Sequence, residues 1–213
     1  MSAGSAGYRV GPRRLYPRVA AHRGGGVFAP ENTLAAIRLG AQCGFRGVEF
    51  DVMLAGDGTP VLIHDETLDR TTGVRGEVAR TPWPRLAQLD AGAWRGARWR
   101  GERIPSFDQA AALCRSLGLW ANVEIKPARG MDAETGRVVA RFARTVWRGV
   151  HPVPVLSSFS VVALAAARAA APGLPRGLLC ERFPRDWRGR LRSTGSVALH
   201  CNWRELTAGR VAV

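Results

Sequence analysis

Five short segments of this 213-residue chain carry residue types suited to chemistry: His22-Arg23-Gly24-Gly25-Gly26, Pro30-Glu31-Asn32-Thr33, Glu49-Phe50-Asp51, His64-Asp65 and Asn122-Val123-Glu124-Ile125-Lys126. Three of them close short apolar runs, 18–21, 47–50 and 60–63, that are ended by Gly, Pro or Asp signals. Polar groups at the ends of apolar strands commonly mark a site. Side chains alternate along a strand, so Glu49 and Asp51 share a face, with Cα atoms about 6 to 7 Å apart, and both carboxylates can reach one cation. The spacing recurs at 122–126, where Glu124 and Lys126 share a face and Ile125 points the other way into apolar packing. Glu124 would be the third carboxylate. A set of carboxylate oxygens alone suits a hard ion, Mg²⁺ or Ca²⁺, whereas zinc would recruit cysteine or more histidine.

Imidazole, with an unperturbed pKa of about 6.5, both takes and gives a proton near neutral pH. His22 and His64 each end an apolar run. Hydrolysis of a phosphodiester needs a base for the attacking oxygen and an acid for the departing alkoxide, and two histidines can supply both. Arg23 and Lys126 bring positive charge. Lys126 is the one lysine among 31 basic residues and stands two positions after Glu124, which reads as a point-charge phosphate binder. His151, between Val150 and Pro152, reads as a surface residue, and His200, closing the run 198–202, could line the same mouth. Singly, each of these residues also fits a structural role as a surface charge, a cap or a hydrogen-bonded histidine. Their shared placement at strand ends favours a site.

Strand-like runs alternate with helical stretches at 32–43, 107–117, 133–147 and 161–171. Repeated strand and helix units read as an α/β fold of the TIM-type (β/α) barrel class, with the site at the carboxyl ends of the strands. Residues 66–103 break the alternation with Trp83, Trp94, Trp99, Pro82, Pro84 and several glycines, and connections of that length are uncommon without a role. A full barrel takes about 250 residues. This chain stops at Val213, just past an expected helix at 203–212, so the barrel is expected to be incomplete at the C-terminus and open along one side. The expected organisation is a flexible Gly, Ser and Arg-rich tail at 1–15 and one domain at 16–213, with an insertion at about 66–104.

No N-terminal apolar core has the length of a signal peptide, and no stretch reaches the roughly 20 apolar residues of a membrane span, so a cytoplasmic location without a membrane span is expected. Cys43, Cys114, Cys180 and Cys201 form no C-x-x-C pair and are expected to be buried free thiols. The net charge of +14 raises the question of nucleic acid. The arginines are spread along the chain with no dense basic stripe, however, and the near-absence of lysine looks like a coding bias, so no specific nucleic-acid partner is expected. Salt-sensitive, non-specific association remains an expectation at this charge.

The runs AHRGGGVFAPENTLAAIRLGA, GVEFDVMLAGDGTPVLIHDETLDRTT, NVEIKP and VLSSF resemble the glycerophosphodiester phosphodiesterase family, and its small cytoplasmic bacterial enzymes most. The resemblance runs from about Tyr16 to the end. It implies a (β/α) barrel with a small insertion over its mouth, which would cap the glycerol end of the substrate. It also implies His22 and His64 as acid and base, a divalent cation on Glu49, Asp51 and Glu124, phosphate contacts from Arg23 and Lys126, and Glu31 and Asn32 near the substrate pocket. The implied reaction is hydrolysis of small glycerophosphodiesters, such as glycerophosphocholine or glycerophosphoethanolamine, to sn-glycerol 3-phosphate and an alcohol. Either direct attack by water or a cyclic phosphate would serve. Alternatives are a lysophospholipase D type enzyme on the same scaffold, or a truncated inactive relative that only binds.

Overall fold

Strand β1 (Gly47–Leu54) organises the molecule, which is a computed structural model describing residues 17–211. Alternation sends the fully buried Val48, Phe50 and Val52 to one face and Glu49 and Asp51 to the other. Along one side of β1 runs the parallel series β3 (Trp120–Ile125), β4 (Val155–Ser158), β5 (Arg176–Cys180) and β6 (Ala198–Cys201); along the other lies the short antiparallel β2 (Pro60–Leu62). The sheet order is β2-β1-β3-β4-β5-β6, so β2 and β6 form its edges and it does not close among the described residues.

Helices cover the outer face. α1 (Leu34–Gln42), α4 (Phe107–Ser116), α5 (Asp132–Val146) and α6 (Val161–Ala170) bury Ile37, Phe107, Val139 and Ala163 against Val48, Phe50, Val123 and Leu156. Local signals start these helices. The Thr33 side chain accepts from the Ala36 amide, Ser106 and Gln109 form a reciprocal capping box, and the Ser160 hydroxyl accepts from the Ala163 amide, each satisfying amides that a helix start leaves unpaired. α5 and α6 approach closely at Gly136, where a Cβ would lie 2.2 Å from the carbonyl oxygen of Ala163. α7 (Trp187–Thr194) and α8 (Ala208–Val211) lie beyond, and α2 (Asp69–Thr72) and α3 (Trp83–Leu86) belong to the long connection after β2. That connection carries a second apolar cluster, including Leu68, Val78, Leu86 and Ile104.

Several sequence expectations need adjustment. The run 18–21 is not a full strand: it contributes only a parallel bridge, Ala21 to Val48, because the chain turns at Arg23 and Gly24, both with positive φ. The first helix starts at Leu34 rather than at 32, since Asn32 itself has φ 56°. The helix expected over 203–212 is instead a 3-10 turn, Trp203–Glu205, followed by the short α8, because Leu206 leaves helical geometry at ψ 88°. Of the four free cysteines only Cys114 is buried; Cys43 is exposed, and Cys180 and Cys201 are half-buried as register partners on β5 and the edge strand β6. The tail expected at 1–15 lies outside the described residues.

Candidate active site

At the carboxyl ends of the strands, Asp51 of β1 is the register partner of Glu124 of β3, and one carboxylate oxygen each from Glu49, Asp51 and Glu124 lie within 4.8 Å of one another. Burial, with the Asp51 charge alongside, pushes Glu49 up to about 8 and Glu124 up to about 7, as expected when like charges share a dry site. Glu49 Oε1 is buried without a hydrogen-bond partner. Lys126 Nζ stands 3.6 Å from Asp51 Oδ1 and 3.7 Å from Glu124 Oε1. An all-oxygen set with an unsatisfied buried carboxylate oxygen fits a hard divalent cation.

The HRG segment hangs on β1. The Gly24 amide donates to the Glu49 carbonyl, the Glu49 amide donates to the Ala21 carbonyl, and the Arg23 amide donates to Glu49 Oε2 at 2.9 Å. α1 supports the loop from beneath through Gly40, where a Cβ would sit 2.3 Å from the Gly24 carbonyl oxygen. Arg23 Nη1 donates to Glu31 Oε1 at 2.7 Å, while its Nε lies 3.6 Å from Asp51 Oδ2. The exposed His22 ring is 3.8 Å from Glu49 Oε2. Loss of hydration and the Arg23 charge hold His22 below the usual histidine range, and His64 is close enough to add to the effect. The lowered His22 and the raised Glu49 both weaken that contact as an ion pair.

Asn32 fills a gap in the sheet. On this side of β1 the Ala21 bridge ends at Val48 and β2 begins pairing only at Val52. The intervening Asp51 amide donates instead to Asn32 Oδ1 at 3.1 Å, and Asn32 Nδ2 donates to Asp51 Oδ2 at 2.8 Å. Asn32 is 3% exposed, so its amide is committed to Asp51.

His64 follows β2, and its Nδ1 is 2.6 Å from Asp65 Oδ1. With Asp65 accepting, Nδ1 carries the proton and Nε2 is left as the atom for proton transfer. The other Asp65 oxygen accepts from Arg70 Nε at 2.5 Å, and that Arg70 hydrogen bond drives Asp65 down to about 2. Arg70 also donates to both oxygens of Glu31, at 2.8 and 2.7 Å. Burial opposes ionisation of Glu31, but its bonds to Arg70 and the Arg23 charge overcome this and hold it low. The connection after β2 reaches this mouth: Trp94 lies 6.0 Å from the Arg70 guanidinium, and Arg95 and Arg98 donate to the carbonyls of Val27 and Phe28.

Asp65, Arg70, Asn122 and Ser157 join the site although no role was assigned to them from sequence. The HD pair and the DRTT run held a signal for the first two. Asn122 and Ser157 are placed by register alone, opposite Glu49 and Glu124, and both present buried oxygens without hydrogen-bond partners. His200 lies on the inward row, its ring covering Gly177 across from Ser157, and burial lowers its pKa. His151 is exposed and apart.

Comparison with known proteins gives the family. The glycerophosphoryl diester phosphodiesterase family model matches residues 22–210. YhdW of Bacillus subtilis is 30% identical over 92% of this chain and 79% of its own. A glycerophosphodiester phosphodiesterase of Caldanaerobacter subterraneus is 34% identical over 76% of this chain and 66% of its own. A phosphodiesterase of Oleispira antarctica, solved with the product sn-glycerol-3-phosphate, superposes with a TM-score of 0.85 at 38% identity, covering 92% of this chain and 79% of that one. Among the described residues no helix is long and apolar enough to cross a membrane. With two imidazoles beside three carboxylates at the ends of parallel strands and a match over most of its length, the chain belongs to the glycerophosphoryl diester phosphodiesterase family of enzymes, built on the TIM-type barrel.

Proposed function

We propose that this chain hydrolyses glycerophosphodiesters to sn-glycerol 3-phosphate and an alcohol. The observation that carries the reading is the convergence of Glu49, Asp51 and Glu124 with His22, His64, Arg23 and Lys126 at one mouth. The three carboxylates would hold Mg²⁺ or Ca²⁺, which when bound supplies Lewis-acid stabilisation of charge on a phosphoryl oxygen. Arg23 and Lys126 bind the phosphate, adding fixed positive charge where negative charge builds in the transition state. His22 and His64 divide the proton work, one removing a proton from the attacking oxygen and the other protonating the departing alkoxide. Glu31 holds the Arg23 guanidinium, and Asn32 holds Asp51, at the margin of the substrate pocket. The unit acts as one domain over 16–213, with the insertion at about 66–104 over its mouth and the cytoplasm as its place of action.

Release of glycerol 3-phosphate from glycerophosphocholine and glycerophosphoethanolamine, measured with Mg²⁺, with Ca²⁺ and with chelator, tests this. Cation-dependent release is expected, and a folded chain releasing nothing under every condition overturns the reading. A second reading, a lysophospholipase D type activity, is favoured by the exposed Val27, Phe28 and Trp94 beside the site, which offer an apolar bed for an acyl chain. A lysophospholipid assayed in parallel separates the two.

A further inference from the structure

The site's side chains are linked in one continuous run, and Arg70 is its midpoint. From His64 Nδ1 the run passes to Asp65, from Asp65 to Arg70 Nε, from Arg70 Nη1 and Nη2 to both oxygens of Glu31, and from Glu31 Oε1 to Arg23 Nη1. Arg70 therefore ties the turn carrying His64 to the segment 30–33, 39 residues away in sequence. Trp94 lies against the same guanidinium.

We propose that Arg70 is a positioning residue for the phosphodiester chemistry, acting through Asp65 on His64 and through Glu31 on Arg23, so that imidazole and guanidinium keep one fixed spacing. This rests on the functional reading above for the roles of His64 and Arg23. A carboxylate with one partner can rotate about its last bond. Asp65, gripped on one oxygen by Arg70 and on the other by His64, cannot rotate without breaking a short hydrogen bond, and the imidazole plane is fixed with it. The planar guanidinium is suited to this because Nε and the two Nη groups donate in set directions to two carboxylates at once, which a lysine ammonium does not reproduce. The low Asp65 pKa agrees with a carboxylate held charged beneath the ring. Because Arg70 grips both oxygens of Glu31 within a charged network, it also adds stability, and the test separates its effect on turnover from its effect on folding.

The test uses the full chain with Arg70→Gln, Arg70→Lys, Asp65→Asn and the Arg70→Gln/Asp65→Asn double variant. Arg70→Gln is expected to lower kcat about 10- to 100-fold, the usual cost of loosening a supporting contact, with KM within about threefold and the protein still fully folded at the assay temperature. Arg70→Lys should fail to restore kcat, and the double variant should be no slower than its slower single variant. Four results each overturn the proposal: full turnover in Arg70→Gln, a rise in KM at constant kcat, effects that multiply in the double variant, or losses that track only the unfolded fraction. A wild-type chain that turns over no glycerophosphodiester would sink the functional reading instead. In that case the His64 Nδ1 proton resonance decides the positioning alone. Its broadening or loss in Arg70→Gln supports the proposal, and an unchanged signal refutes it.

Discussion

Replacing Asn32 with alanine removes the side chain that completes β1. The Asn32 amide donates to Asp51 Oδ2 at 2.8 Å and accepts the Asp51 backbone amide at 3.1 Å, in a site where Asp51 is 1% exposed. Losing a hydrogen bond to a carboxylate costs about 1.5 to 3 kcal/mol, and stranding a buried amide costs about 1 to 3 more, so roughly 2.5 to 6 kcal/mol of stability is at stake. Asn32 also holds φ 56°, a conformation that costs alanine about 1 to 2 kcal/mol but glycine almost nothing. Asn32→Gly should therefore be the milder truncation, and its difference from Asn32→Ala isolates the backbone contribution. Asn32→Asp keeps the shape and the acceptor but faces Asp51 with a second carboxylate, so it should be destabilised without cation and recover when Mg²⁺ or Ca²⁺ is added. Urea unfolding with and without cation measures stability, and calorimetric titration measures the cation affinity, which should weaken at least tenfold in Asn32→Ala. An Asn32→Ala protein within about 1 kcal/mol of wild type, with unchanged cation affinity, would show that Asp51 does not depend on this clamp.

Three further outcomes are expected. His22→Ala and His64→Ala should each slow turnover at least about 100-fold, and near wild-type rates in either would remove it from the proton transfers. Burial raises Glu49 to about 8 and Glu124 to about 7, so the cation-free folded chain holds protons that the unfolded chain gives up near the ordinary glutamate pKa of about 4.3. Its Tm should fall as pH rises through that interval toward 8, and added cation should raise Tm more at pH 8 than at pH 5; a Tm indifferent to both contradicts the shared site. Gly40→Ala drives a Cβ into the Gly24 carbonyl at 2.3 Å. It should cost about 1 to 3 kcal/mol as an overpacked contact and shift the loop bearing His22 and Arg23, so unperturbed unfolding and turnover would refute the tight seat.

What could be read from the sequence was whatever depends on near neighbours. Period-two alternation requires Glu49 and Asp51 to share a face whatever lies across from them, and it separates them from Phe50, which joins the core. Helix starts after Ser106 and Ser160 are likewise local, since each cap satisfies an amide only three residues away. Local reading failed at the far end of the sheet. The pattern at 203–212 reads as one helix, yet the chain breaks at Leu206, and apolar neighbours around Cys180 and Cys201 did not guarantee burial because they close β5 and the edge strand β6, the last two strands of an open sheet.

The residues themselves therefore determined the inventory of groups and their faces: three carboxylates, two imidazoles, one lysine and a barrel-type alternation of strands and helices. Only the tertiary structure decided which of those groups meet. The β1–β3 register set Asp51 opposite Glu124, and the gap between two short ladders on β1 drew Asn32 onto Asp51. Arg70 reached across 39 positions to Glu31. The physical reason is that alternation and capping are properties of a few adjacent backbone units. Register and side-chain networks, by contrast, are settled by packing between distant segments, where a one-residue slip would turn every carboxylate away from the site.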